Sequence, residues 1–105
     1  MKEQIWKYTL DPTNLDADSS ITLHLPFDAD VLYAVAQRNG IVVYILVRLE
    51  TKDRLVPVRF YVYDTGQVIL DRPPMRSLGV CSFFEGAEMM HVFVETESNG
   101  SDNDR

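Results

Sequence analysis

An alternation of apolar and polar residues with a period of two is the feature that most restricts the fold of this sequence. Between positions 5 and 95, apolar side chains recur mostly at every second position, and turn residues punctuate them. Successive side chains of a β-strand point to opposite faces, so this period is typical of half-buried strands. Short strands at this spacing predict an all-β domain: a compact antiparallel β-sandwich or a small open barrel of about seven to eight strands.

The alternation and the turn residues between the segments divide the chain into predicted strands. They cover residues 5–10, 21–25, 31–38, 41–49, 56–63, 68–70, 79–84 and 89–95. The fourth segment is apolar on both faces, which predicts a central strand. In the fifth, Pro57 has no N–H to donate, so this end of the strand is expected at a sheet edge. One helical alternative covers Ala29 to Gln37, but the alternation of Val31, Tyr33 and Val35 favours a strand.

The dipeptide Asn39-Gly40 separates the third and fourth predicted strands. Both central positions of a type I′ turn need φ > 0, and Asn-Gly is the pair that best adopts it. This dipeptide therefore predicts a tight hairpin between the two strands.

The length and composition predict one domain, over residues 1–95, and a disordered acidic tail, over residues 96–105. A chain of 105 residues buries enough surface to fold without disulfides or metal. Its single cysteine, Cys81, excludes an internal disulfide and a multi-cysteine zinc site. The last ten residues contain no apolar side chain, which is typical of disorder.

The net charge of −6 is distributed unevenly. Residues 95–105 hold four acids and one base, and residues 1–94 hold twelve acids and nine bases, so each part carries −3. Between positions 11 and 30 there are five aspartates and no lysine or arginine. This balance disfavours direct nucleic-acid binding, which depends on neutralising phosphates, and allows binding to basic protein surfaces.

The sequence also bears on cellular location. No apolar stretch follows the opening lysine, so we expect no signal peptide. The longest apolar run, residues 41–47, is too short to cross a bilayer. We therefore expect a protein of the reducing cytoplasm that does not contact a membrane.

His91 and Cys81 are the candidates for catalytic chemistry. An imidazole titrates near neutral pH, but a lone strand histidine without a second histidine at ligand spacing is more often hydrogen-bonded than catalytic. Cys81 lies between apolar neighbours, which predicts a buried, inert thiol. We expect His24, which alternates with Thr22, to be exposed. The sequence thus predicts no catalytic residues, no metal ligands and no cofactor.

Two acid pairs, Asp16 with Asp18 and Asp28 with Asp30, could instead form divalent-metal loops. A calcium loop needs about six oxygen ligands and a defined glycine, which neither segment supplies. Both pairs are therefore predicted to lie in solvated turns, where they contribute to an acidic, partner-binding surface.

A row of three residues, Arg59, Tyr61 and Tyr63, is the other predicted partner-binding surface. The alternation places all three on the face of the fifth strand that points away from the core. Aromatic residues and arginine are enriched at binding hot spots. A half-covered sheet face is the alternative interpretation. Trp6 and Tyr8 are predicted to pack in the core together with Leu10.

Four short stretches occur in a recognisable order along the chain. They are Ile5-Trp6-Lys7-Tyr8, Tyr63-Asp64-Thr65-Gly66 followed by Ile69, Leu78-Gly79, and Met90-His91-Val92-Phe93-Val94-Glu95. This order resembles a small family of uncharacterised proteins encoded mostly by tailed phages and prophages. That family opens with Ile-Trp-Lys-Tyr, continues with Tyr-x-Thr-Gly-x-x-Ile and closes with an aromatic residue and His-Val-Phe-Glu. Met90 and the inserted Val94 depart from the pattern and indicate a distant member.

The family has no established activity, so the resemblance implies only an accessory protein of a phage or mobile element. Combined with the acidic balance, it predicts a non-enzymatic protein-binding function in the host cytoplasm. One concrete form is inhibition of a host defence complex of the nuclease or CRISPR type, with the acidic face occupying a basic nucleic-acid channel. Two alternatives stay open: a structural or self-assembling component whose strand edges pair into a homodimer or ring, and a small enzyme using His91 or Cys81.

Overall fold

Two antiparallel sheets make up the fold in the computed structural model, which describes residues 1–38 and 40–96. A three-stranded sheet has the order β1-β4-β3, and a four-stranded sheet has the order β2-β5-β7-β6. The strands are β1 (Glu3–Leu10), β2 (Ser20–Pro26), β3 (Asp30–Gln37), β4 (Gly40–Arg48), β5 (Leu55–Asp64), β6 (Met75–Phe83) and β7 (Glu88–Glu95). Two 3₁₀ turns, Leu49–Thr51 and Phe84–Gly86, follow β4 and β6. The all-β prediction is confirmed.

The core lies between the two sheets and is formed by alternate residues of their strands. From β4, the inward residues Ile41, Val43, Ile45 and Val47 are all fully buried. Phe60 from β5 is also fully buried on the facing sheet. Because β4 lies between β1 and β3 and is buried along most of its length, its predicted central position is confirmed.

The sheets approach each other where their edge strands β3 and β6 are in contact. The Arg76 guanidinium of β6 donates a hydrogen bond to the Val31 carbonyl of β3. A bulge in β6 between Ser77 and Gly79 brings Gly79 close to the Ala34 carbonyl of β3. This contact joins the sheets along one side, while β1 and β2 are the edge strands on the other.

The predicted β3–β4 hairpin is present, but its turn lies one residue earlier than Asn39-Gly40 implies. Gln37 pairs with Gly40, and Arg38, with φ of 53°, lies in the turn that follows Gln37. Asn39 itself lies outside the described residues. A turn centred on Asn39 and Gly40 would place Arg38 opposite the fully buried Ile41. The observed register keeps that charge in the turn.

The predicted strand over residues 68–70 is wrong, because these residues lie in the β5–β6 loop, residues 65–74. Three apolar residues between Gly66 and the Pro73-Pro74 pair are too few to form a ladder. In contrast, β6 begins at Met75, earlier than the alternation indicates, since its bulge interrupts the period of two. The helical alternative at residues 29–37 is also wrong, because all of these residues but Ala29 form β3.

The position of Pro57 at an open edge is confirmed. On its β7 side, β5 pairs from Phe60 to Asp64, so among the described residues positions 55–59 have a strand partner on the β2 side alone. The predicted disordered tail lies outside the described residues, apart from Thr96. Both helical segments of the described chain are three-residue turns, and neither has the length or apolar character to cross a membrane.

Candidate functional site

The row Arg59, Tyr61 and Tyr63 points away from the core, as predicted, because Tyr61 and Tyr63 lie opposite Phe93 and His91 of β7. The two tyrosines do not form an exposed aromatic surface, however: they are only 3% and 5% exposed. Arg59 alone is exposed. The alternation thus gives the correct orientation, but it cannot show that loops from elsewhere in the chain cover this face.

The tyrosines form the floor of a small polar cleft of about 240 Å³. We call it the tyrosine cleft. Besides Arg59, its lining comprises Asp18 from the β1–β2 loop, Glu95 at the end of β7, and Leu70, Asp71, Arg72 and Pro73 from the β5–β6 loop. Four predicted partner-binding residues therefore lie together: Asp18, Arg59, Tyr61 and Tyr63.

Hydrogen bonding and ring stacking hold the floor of the tyrosine cleft in place. The Tyr61 hydroxyl donates to Glu95 Oε1 at 3.2 Å. The rings of Tyr61 and Tyr63 are stacked with centroids 6.0 Å apart, and Tyr63 also contacts Phe93 at 5.9 Å. Burial raises the pKa of both tyrosines, so both hydroxyls stay protonated at neutral pH. The cleft therefore offers tyrosine hydroxyls as hydrogen-bond donors beside the charged side chains of its lining.

Asp18, on the rim of the tyrosine cleft, is fixed by Ser20. The Ser20 hydroxyl and backbone N–H both donate to Asp18 Oδ1, the latter at 3.2 Å. The hydroxyl bond is the main reason that the pKa of Asp18 is lowered, since it stabilises the carboxylate. Ser20 is itself buried beneath the loop, so the negative charge of Asp18 is held at a defined place.

We expect Asp18→Asn to lower the free energy of unfolding at neutral pH by about 0.5 kcal/mol, a small effect because the carboxylate is exposed and screened. The folded pKa of Asp18 is lowered, so its contribution is present above the unfolded pKa of about 3.9. That contribution is lost as the pH falls through the folded value. Urea unfolding at neutral pH and at about pH 2.5 tests this. Asp16→Asn in the same loop is the control, and equal pH dependence of both variants would contradict the prediction.

The second predicted acid pair lies at the other end of β2 and is bound to Arg48. Asp30 Oδ2 accepts from Arg48 Nη2 at 3.1 Å, and the Arg48 guanidinium also donates to the Asp28 carbonyl. Glu3 and Asp28 approach the same guanidinium at 3.9 Å. β2 separates the two pairs by roughly 20 Å, so Asp16 and Asp18 do not form one surface with Asp28 and Asp30.

His91 and Cys81 lie in neighbouring strands but point to opposite faces of the sheet. Val80 pairs with His91 and Cys81 pairs with Met90, so the thiol faces the core and the imidazole faces away from it. His91 Nε2 is hydrogen-bonded to Thr65 Oγ1 at 2.8 Å. Cys81 is fully buried, so its predicted burial is confirmed, and that burial raises the pKa of its thiol. Because the thiol and the imidazole lie on opposite faces of the sheet, they do not form a dyad. His24 is exposed, as predicted.

Metal ligation has no candidate in the described part of the chain, where no three His, Cys, Asp or Glu side chains are grouped to hold an ion. Trp6 and Tyr8 are half-buried and pack against the core. Neither lies in the tyrosine cleft.

The most exposed apolar residues near the tyrosine cleft are in the β5–β6 loop. Val68 is 77% exposed, Ile69 40% and Leu70 79%; we call these three residues the apolar triplet. The sequence pattern predicts a strand over these residues rather than an exposed surface, because a short apolar run is typical of a buried strand. Two features of the sequence indicate a loop instead: the run is only three residues long, and it lies between a glycine turn and two prolines.

Hydrogen bonds anchor the β5–β6 loop on both sides of the apolar triplet. Gln67 Nε2 donates to Ser19 Oγ at 2.8 Å, and the Gln67 side-chain oxygen accepts from the Asp64 N–H at 3.0 Å. At the other end, the Thr96 N–H donates to the Pro74 carbonyl at 3.0 Å. The triplet is therefore displayed by a loop that is tied to the β1–β2 loop through Ser19, to the end of β5 through Asp64, and to Thr96, the residue that follows β7.

Comparison of the chain with models of protein families gives a match over nearly its whole length. The model described as "Domain of unknown function (DUF7352)" matches residues 1–103. Neither the curated proteins nor the solved structures give a match.

Proposed function

Because this chain belongs to the DUF7352 family, a domain of unknown function, we propose a function from its surface: it is a non-enzymatic protein that binds a partner protein. The contact surface is the apolar triplet together with the rim of the tyrosine cleft. The supporting observation is the exposure of Val68 and Leu70, at 77% and 79%, on an anchored loop.

Exposed apolar side chains of this kind stay in contact with water in the folded chain, so their burial by a partner contributes to the free energy of binding. Burying a Val or Leu side chain is worth roughly 1.5–3 kcal/mol. A partner that covers both gains this energy, and it gains it at small entropic cost because the loop is already fixed. Grouping apolar residues next to a charged rim is the usual arrangement of a protein-binding hot spot.

The rim of the tyrosine cleft supports specific rather than indiscriminate binding. Arg59 and Arg72 lie on it with Asp18 and Glu95, so a partner must match charges of both signs. Tyr61 and Tyr63 hold the floor in one arrangement through the stacking and the hydrogen bond to Glu95. A preorganised rim of this kind discriminates between partners more than it adds affinity.

The proposed setting is the cytoplasm of a host cell, with the chain acting as an accessory protein of a phage or mobile element. The resemblance of its four ordered motifs to phage-encoded proteins supports this setting, and the net charge of −6 favours a basic partner. Inhibition of a host nuclease or CRISPR-type complex is the concrete form. Asp28 and Asp30 contribute less to such an acidic surface, because Arg48 already pairs with them.

We expect Val68→Ser combined with Leu70→Ser to weaken binding of the partner at least tenfold, since two apolar contacts are lost. Capture from host lysate with the wild-type chain, followed by affinity measurement with the isolated partner, gives the reference value. Leu55→Ser is the matched control, because Leu55 is also exposed, at 55%, but lies at the opposite end of β5. A partner that is retained equally by all three proteins would remove the apolar triplet from the proposal.

A further inference from the structure

The free edge of β1 is the longest uninterrupted strand edge in the described part of the chain. β1 pairs with β4 over all eight of its residues, and no strand of residues 1–38 or 40–96 pairs with its other side. The Lys2 carbonyl accepts from the Leu49 N–H, so even-numbered backbone groups face β4. The N–H and C=O groups of Glu3, Ile5, Lys7 and Thr9 therefore face outward.

The other edges are protected against pairing. In β2, the Ser20 carbonyl accepts a hydrogen bond from the Asp16 N–H, and the Pro26 carbonyl accepts one from the Ala29 N–H. The backbone acceptors at both ends of this edge are therefore already used within the chain. The open half of β5 contains Pro57, which offers no N–H. β3 and β6 contact each other, and β6 contains a bulge. β1 has neither a proline nor a bulge.

The sequence of β1 is self-complementary in one antiparallel register. Pairing with a second copy requires outward-facing backbone groups on both strands, so odd positions must meet odd positions. If Ile5 meets Ile5 of the copy, Glu3 lies opposite Lys7 and Lys7 lies opposite Glu3. If the pairing is centred on Trp6 instead, Lys7 lies opposite Ile5 of the copy. If it is centred on Lys7, the two lysines lie opposite each other. Opposite charges in direct cross-strand pairs stabilise a sheet, and like charges destabilise it.

An apolar patch on the outer face of the three-stranded sheet would be extended by the same pairing. Ile5 is 59% exposed and lies opposite Leu46 of β4, and the adjacent Tyr33 and Tyr44 rings contact each other at 5.3 Å. Bringing the two Ile5 side chains together covers part of this patch. A lysine in an edge strand usually prevents such pairing, but here Glu3 of the second copy compensates its charge.

We infer that β1 is a homodimerisation edge: two copies pair their β1 strands antiparallel about Ile5 to form a continuous six-stranded sheet from the two β1-β4-β3 sheets. About six backbone hydrogen bonds form across the two-fold axis, two for each of three facing pairs. This assembly goes beyond the proposed function, since it uses the other sheet and none of the residues of the apolar triplet.

Charge reversal and charge exchange test the pairing. Lys7→Glu places two carboxylates opposite each other on both sides of the axis, and we expect the dimer dissociation constant to rise at least tenfold. Lys7 is exposed and forms no ion pair among the described residues, so the fold should be retained. Glu3→Lys combined with Lys7→Glu restores opposite charges and should restore the dimer. Sedimentation equilibrium gives each constant.

A cysteine at the axis tests the register. Facing residues of a hydrogen-bonded antiparallel pair have Cα atoms about 5.5 Å apart, within the range of a disulfide. Ile5→Cys should therefore form a covalent dimer on mild oxidation. Thr9→Cys, roughly 27 Å from its counterpart in this register, should not. A wild-type chain that stays monomeric up to about 1 mM, or equal crosslinking of both variants, would overturn the inference. Val68→Ser with Leu70→Ser should dimerise like the wild type, which separates this test from that of the proposed function.

Discussion

Phe60→Ala should lower the free energy of unfolding by about 3–5 kcal/mol, a large part of the stability of a domain this size. Phe60 is fully buried between the sheets and pairs with Ile21 of β2 and Val94 of β7. Removing its ring leaves a cavity that the surrounding strands cannot fill without breaking their ladders. Urea unfolding at neutral pH measures the loss.

The matched control for this substitution is Phe84→Ala. Phe84 is 77% exposed, in the 3₁₀ turn between β6 and β7, so the same truncation should change the free energy of unfolding by less than about 0.5 kcal/mol. If Phe60→Ala cost no more than Phe84→Ala, the two sheets would not pack around Phe60.

Gly79→Ala should cost about 1–3 kcal/mol, the second large effect on stability. Gly79 has φ of 125°, which L-residues rarely adopt, and it follows the bulge that keeps Leu78 buried in β6. Space is not the limit, because an added Cβ would lie 3.5 Å from the Ala34 carbonyl, an ordinary contact. The cost comes from the backbone conformation itself, and thermal unfolding would measure it.

Gly40→Ala is the matched control for Gly79→Ala. Gly40 begins β4 without a positive φ, and an added Cβ would lie 3.5 Å from Thr9 Cγ2. Alanine at such a position reduces the freedom of the unfolded chain, so we expect no loss of stability, or a gain of about 0.4–1 kcal/mol. Equal destabilisation by both substitutions would show that the bulge does not require glycine.

The alternation of apolar and polar residues is enough to predict most of the strands, because each strand presents one face to the core. Six of the seven strands agree with the predicted segments to within two residues at each end. The exception is β6, where the bulge before Gly79 interrupts the alternation. The sequence pattern therefore does not predict the first part of this strand, from Met75 to Leu78. The hairpin turn is displaced for a different reason: Gln37 pairs with Gly40, so the charged Arg38 stays in the turn instead of lying opposite the buried Ile41.

The candidate site was less predictable, since it depends on contacts between distant segments. The orientation of Tyr61 and Tyr63 follows from alternation, but their burial depends on a loop that returns over the sheet. Similarly, Asp16 and Asp28 belong to one acidic stretch in the sequence, yet β2 carries them to opposite ends of the sheet. No local pattern encodes either arrangement. Leu70 is exposed because its apolar run is too short to form a strand and lies in the β5–β6 loop.

The central claim is that the apolar triplet contacts a partner protein, and site-specific photocrosslinking tests it most directly. A benzophenone amino acid replaces Leu70 in one full-length variant and Leu55 in another, and each is irradiated in host cells that produce it. Both positions are exposed, at 79% and 55%, so the label is accessible to solvent in either variant. We predict that the variant labelled at position 70 gives a discrete crosslinked product with one host protein and that the variant labelled at position 55 does not. The same product from both positions, or none from position 70 while the partner still co-purifies, would contradict the claim.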